Sequence, residues 1–132
     1  MAVLGLDIGT TGSRAVLVGS DGQLLATSTE SHEAFSSPET GWAEQDPDDW
    51  WRAAQTAIQT VVGDCENEDI DAVGLSGQMH GAVLLDGDGF VVRPAIIWCD
   101  QRTDEQCRWL TENVGASRLI ELVSNPALTG FT

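Results

Sequence analysis

The order of segments along the chain predicts an α/β layered domain built on a mixed sheet. Three observations carry this. Short apolar runs of strand length open the sequence, and a segment of helical period follows them. Further short apolar runs then alternate with helical segments to the end.

Val3–Ile8 is the first strand, a buried apolar run broken only by Asp7. Gly9-Thr10-Thr11-Gly12 turns the chain into a second strand, Ala15–Val18. Ser20-Asp21-Gly22-Gln23 carries the Asp-Gly hairpin signal and leads to a third strand, Leu24–Thr29. Together they predict a three-stranded antiparallel meander. Residues 32–46 read as a loop, with Pro38 and Gly41 as breakers. A helix is predicted from Asp46-Pro47. Asp46 suits the cap, Pro47 the first turn, and Asp48 and Asp49 the positive end of the dipole. Trp50, Ala54, Ala57, Ile58 and Val61 form its buried face. Ala72–Ser76 is the next strand. Gly81–Leu85 and Phe90–Val92 flank a turn at Asp86–Gly89, and Ala95–Trp98 is the last strand. A helix over 103–114 stops at Gly115. A short one follows to Val123, with Ser117 as its cap and Asn125-Pro126 beyond its end.

The chain of 132 residues is one domain's worth and is 42% hydrophobic, enough for a core. It carries 21 acidic residues against 6 basic ones, all arginine, for a net charge of -15. Such a surface repels phosphate backbones and anionic membranes, so neither nucleic acid nor membrane is expected as a partner. The excess fits an ordinary soluble acidic protein. It fits better a very salty cytoplasm, where salt screens the self-repulsion. No signal peptide opens the sequence and no apolar run reaches membrane-spanning length. Cys65, Cys99 and Cys107 are odd in number and lack CxxC spacing, which fits a reducing cytoplasm.

Four stretches bear chemistry. Asp7 lies in an apolar strand, where a carboxylate is costly unless a cation or several donors satisfy it. Its alternative employment is to cap the turn that follows. Gly9–Arg14 supplies glycines for close backbone approach and successive amides for an anion nest. The hydroxyls of Thr10, Thr11 and Ser13 and the charge of Arg14 complete a phosphate hairpin, beside which Asp7 could hold Mg²⁺. The P-loop GxxxxGK[ST] is absent. Next, Ser76–Gly81 leaves a strand between glycines; Gln78 and His80 offer hydrogen bonds and Met79 an apolar wall. His80 taken alone reads more simply as incidental to a tight connection. Then Trp98 could stack on a sugar face and Asp100 could accept from neighbouring hydroxyls or cap the helix that follows. Cys99 has no visible base partner and reads as inert. Finally, Gly41–Pro47 reads as a structural loop anchored by Trp42.

GLDIGTTGSRAV, GWAEQDPDDWW, GLSGQMHGAVLLD, RPAIIWCDQR and the terminal NPALTGFT together resemble the FGGY carbohydrate kinases, most closely their xylulokinase branch. The pieces stand in family order and span nearly the whole chain. The resemblance implies two lobes of the actin/hexokinase/Hsp70 type, each on a ribonuclease-H-like mixed sheet with flanking helices. Residues 1–132 would be part of the first, with the C-terminal lobe absent. It implies ATP and Mg²⁺ as cofactors and D-xylulose as substrate, converted to D-xylulose 5-phosphate in the cytoplasm. By position, Asp7, Thr10 and Thr11 would belong to the magnesium and phosphate region with Ser13 and Arg14 beside them. Met79 and His80 would contact the ketose with Gln78 in support, Asp100 would contact its hydroxyls, and Trp98 would line the pocket. The catalytic base, the second phosphate loop and the adenosine pocket would lie beyond Thr132, so no catalytic residue is expected here and the chain alone would be inactive. Exposed apolar surface and strand edges, with self-association as a homo-oligomer or marginal stability, are expected of such a piece.

Overall fold

The computed structural model describes residues 1–131; Thr132, which ends the NPALTGFT stretch, lies outside them. In chain order the elements are β1 (Ala2–Ile8), β2 (Gly12–Gly19), β3 (Leu24–Ser31), β4 (Glu44–Gln45), α1 (Pro47–Asp64), β5 (Ile70–Gly77), β6 (Ala95–Ile96), α2 (Asp104–Val114) and α3 (Ala116–Val123). They fall into two compact units: Met1–Ala34 with Pro47–Gln78, and Phe35–Asp46 with Met79–Thr132.

The first unit is a four-stranded sheet in the order β3-β2-β1-β5. β1 pairs antiparallel with β2, and β2 with β3, because tight turns join them. At the second turn Gly22 takes φ +82° and the Asp21 carboxylate accepts the Gln23 amide at 3.0 Å. β5 pairs parallel with β1, which requires a crossover, and α1 supplies it. Alternation along the strands turns Leu4, Leu6, Ala15 and Leu17 toward Ala54, Ala57 and Val61 of α1. Ala53, Ala54 and Ala57 are fully buried, so the helix backbone approaches the sheet closely. Trp50, expected on this buried face, is only half-buried, and Ala53 joins the face instead.

No helix of this unit covers the other face. On the α1 side, Val73 and Leu75 stand level with Leu4 and Leu6 yet are 58% and 77% exposed, so the edge strand β5 lies open to solvent. Gly12, at the start of β2, sits where a Cβ would fall 2.6 Å from the Glu30 carbonyl oxygen. Gly12→Ala is therefore expected to destabilise the fold by about 1–3 kcal/mol. The check is the chemical-denaturation midpoint; an unshifted midpoint would contradict so close an approach.

The second unit contains the β4–β6 ladder, pairing Glu44 with Ile96 and Gln45 with Ala95. Residues 32–46 are thus not wholly loop, as a two-residue strand is too short to show a period. The strands expected over 81–85 and 90–92 shrink to single bridges, Ala82 to Ile96 and Leu85 to Val91. Two causes account for this. The Asp86 carboxylate accepts the Asp88 and Phe90 amides at 3.0 and 2.9 Å, closing the turn locally. Val83, Leu84, Phe90 and Val92 are all exposed, and a hairpin without a packed face is marginal. The strand expected over 95–98 ends at Ile96, and the Ile97 amide goes to the Ala43 carbonyl at 3.1 Å. α2 stops at Gly115, φ +90°, as its glycine predicts. α3 begins behind Gly115, and Ser117 is not its cap.

Candidate active site

Pleating decides where Asp7 goes. Leu4 and Leu6 face α1, so Asp7 faces the uncovered side of the sheet and is exposed. Its partners across the strands are Arg14 on β2 and Ser76 on β5. These three border a cleft of about 320 Å³ whose floor includes Gly5 and Val16. Below it the Gly9–Gly12 turn is closed by the Gly9 amide donating to the Gly12 carbonyl at 3.0 Å. A Cβ on Gly9 would lie 3.8 Å from Asp7 Oδ2, so the carboxylate sits beside the turn. Thr11 is exposed at the turn and Thr10 half-buried. Arg14 Nε donates to Thr29 Oγ1 at 2.9 Å, which holds the guanidinium toward β3.

Ser13 corrects the sequence reading. It is fully buried, with Oγ 2.9 Å from His32 Nε2. Strand alternation is the cause: Arg14 takes the open face, so its neighbour must point inward. Ser13 is thus a buried anchor between β2 and the end of β3, not a donor aimed at a phosphate. Gln78 closes the unit; its amide donates to the Ile8 carbonyl at 2.8 Å and extends the β1–β5 ladder.

The second unit holds Met79, His80, Trp98 and Asp100. Met79 and His80 are exposed, and His80 has φ +60°, a left-handed backbone at a non-glycine residue. His80, Ile97, Asp100, Thr103 and Gly130 border a cleft of about 220 Å³. Asp100 is 2% exposed and its oxygens are taken. Oδ2 accepts the Ala43 amide at 2.7 Å and Oδ1 the Arg102 amide at 2.9 Å. The Arg102 guanidinium closes a fork on both oxygens, Nε to Oδ1 at 2.9 Å and Nη2 to Oδ2 at 2.8 Å. Arg102 Nη2 also donates to Glu44 Oε1 at 2.7 Å, where Arg93 joins, and its planar group lies 3.8 Å over the Trp42 ring.

Two expectations for Asp100 change accordingly. It does not cap α2, whose N-cap is Thr103 without a side-chain bond. Its carboxylate is spent on holding the Trp98–Arg102 turn to the Gly41–Gln45 segment, leaving little acceptor capacity for sugar hydroxyls. Sequence reading missed Glu44, Arg93, Arg102 and Trp42 as one cluster, because nothing in either segment announces that they meet.

Burial pushes the Asp100 carboxyl up, but the Arg102 fork, the Ala43 and Arg102 amides and the Arg102 charge outweigh it and hold it below the usual carboxylate range. A carboxyl lowered in the folded state stabilises fully above its unfolded value, about 3.9. That contribution is lost as pH falls through the lower folded value. Wild type should therefore lose more stability than Asp100→Asn between about pH 5 and pH 3. Parallel urea midpoints across that range would contradict the assignment.

With this geometry, residues 2–132 match the FGGY family of carbohydrate kinases, N-terminal domain. The chain belongs to the FGGY carbohydrate kinase family. It is 40% identical over 129 residues to the xylulose kinase of Klebsiella pneumoniae, covering 98% of this chain and 26% of that protein. It is 37% identical over 114 residues to the glycerol kinase of Acinetobacter baylyi, covering 84% of this chain and 23% of that protein. The crystal structure of a xyloylose kinase from Brucella ovis superposes at TM-score 0.91 and 36% identity, over all of this chain and 27% of that one. The fold of this FGGY chain is thus the actin/hexokinase-like α/β fold with a mixed sheet, and the chain spans about a quarter of the length of the relatives it matches.

A magnesium ion fits this FGGY chain only in one manner. Among the described residues no group of three or more His, Cys, Asp or Glu side chains could cage a metal. Asp7 is a single exposed carboxylate beside an amide-rich turn, and it would be the residue to hold a largely hydrated ion, which would supply charge neutralisation.

Proposed function

We propose that this chain supplies the opening part of an ATP-dependent sugar kinase acting on D-xylulose, with Asp7, Thr10, Thr11 and Arg14 serving the phosphates and magnesium, and Gln78, Met79, His80 and Trp98 serving the sugar. The observation that carries this reading is Asp7 on the uncovered sheet face, beside the glycine turn and level with Arg14 and Ser76. Magnesium, when bound, would neutralise charge developing on the transferred phosphoryl group. The chain's own part is positional. The Gly9–Gly12 amides orient phosphate oxygens, and His80, Met79 and Trp98 hold the sugar. A sugar hydroxyl attacks the γ-phosphorus, its proton leaves to a base that these residues do not provide, and the bond to ADP breaks. Asp100 borders the same cleft, but its carboxylate is committed to Arg102 and the Ala43 amide, so it braces the sugar wall more than it serves as an acceptor.

Kinship to glycerol kinase as well as to xylulose kinases favours one second reading, phosphorylation of another sugar or polyol. An ADP-release assay on the full-length protein with xylulose, ribulose, glycerol and gluconate separates the two. Preference for xylulose supports the first, and preference for another member of the panel supports the second. A full-length protein that binds sugar without releasing ADP would make this a binding module and end both.

The acidic surface is part of the same proposal. A domain of charge -15 repels itself, and salt near 1 M shortens the Debye length to about 3 Å. The expected result is a melting temperature that climbs with KCl into the molar range, as for a protein of a saline cytoplasm. Full stability at low ionic strength would remove that part of the reading.

A further inference from the structure

The His80 backbone is held in a conformation that costs a non-glycine residue about 1–3 kcal/mol and persists only where neighbours fix it. The neighbour is supplied from the end of the sequence. The Phe131 ring lies 4.9 Å from the His80 ring, tilted at 44°. The same ring meets Trp98 edge-on, 6.2 Å away at 70°. One side chain therefore touches two residues assigned to the sugar wall. Its seat depends on the residue before it. Gly130 has φ +72°, and a Cβ there would fall 1.8 Å from the Trp98 carbonyl oxygen, so only glycine admits this approach. Gly130 also borders the same cleft as His80, Ile97 and Thr103.

We propose that Phe131 is a positioning residue for the sugar, fixing the His80 ring beside Trp98, and that Gly130 is the seat that lets it in. This rests on the sugar-kinase reading. His80, Phe131 and Trp98 all keep exposed surface, so the trio presents an imidazole and aromatic face of the kind that stacks on the C–H side of a sugar ring or chain.

The experiment uses the full-length protein. Phe131→Ala is expected to raise KM for the sugar by about tenfold or more, since the sugar loses an ordered wall that it contacts equally in the ground and transition states. KM for ATP and kcat should stay within about twofold, and Phe131→Tyr should restore the sugar KM. An unchanged sugar KM, or equal losses for sugar and ATP, overturns the proposal. If Phe131→Ala does not fold, Phe131→Leu keeps volume without the ring and should give the same selective rise. Histidine-ring NMR, assigned with His80→Gln, adds a readout that needs no turnover. Removing the Phe131 ring should move the His80 resonances and leave those of His32 in place; unmoved His80 resonances overturn the proposal. A wild-type protein inactive on every sugar would sink the kinase reading alone, and the NMR result would still decide the role of Phe131.

Discussion

Asp7→Asn in the full-length protein is expected to lower kcat by about two to three orders of magnitude, the usual cost of removing one fixed electrostatic group from a reacting centre. Stability should hardly change. Asp7 is exposed on the open face of the sheet, and the strand pairing of β1 is made by backbone groups that the substitution leaves alone. The change is nearly isosteric, so the Gly9–Gly12 turn keeps its shape. What is lost is the negative charge that would hold the cation, and the variant should need far more Mg²⁺ for half-maximal rate. The measurement is kcat against Mg²⁺ concentration, with a thermal melt as control. A kcat within about threefold of wild type at equal Mg²⁺ would remove Asp7 from the phosphate machinery.

Arg102→Met is expected to be the most damaging change to stability, at about 3–5 kcal/mol. Asp100 is buried and the Arg102 guanidinium closes on both its oxygens, so the variant would leave a buried carboxylate held by two backbone amides alone. Glu44 keeps Arg93 and suffers less. Stranding also weakens the pH response. Without the guanidinium only the Ala43 and Arg102 amides oppose burial, so the carboxyl rises from its lowered value and the acid-side loss of stability shrinks. Adding Asp100→Asn to Arg102→Met removes the orphan charge and should return much of the loss, because deleting both members of a buried pair costs far less than deleting one. Urea midpoints of the two single variants and the double one decide the matter; additive losses would show that the pair does not interact.

How much of this was legible in the residues follows physical lines. β1, β2 and α1 could be read because burial on one face stamps a period on the sequence, β3 and β5 because short runs of strand composition stand between turns, and Asp21-Gly22 and Pro47 mark boundaries by local chemistry. The family pattern placed Asp7 in a region whose geometry then proved open and close to the turn. Ser13 was misplaced because a motif lists hydroxyls without saying which side of a strand each takes. The residues 81–92 carry strand-like composition, yet strand pairing needs a packed face that their own sequence cannot supply. The Asp100–Arg102–Glu44 cluster and the Phe131–His80 contact join segments 58 and 51 positions apart, and no local period encodes such meetings.

The methyl-thin seam beneath β1 and β2 acts as a spacer gauge. With alanines at 15, 54 and 57, there is no slack for a bulkier group to fold away into. A valine at Ala54 would wedge the helix outward and tilt the strand that bears Asp7. Genetic screens for lost sugar phosphorylation should therefore recover hits on the hidden side of this layer, far from any ligand.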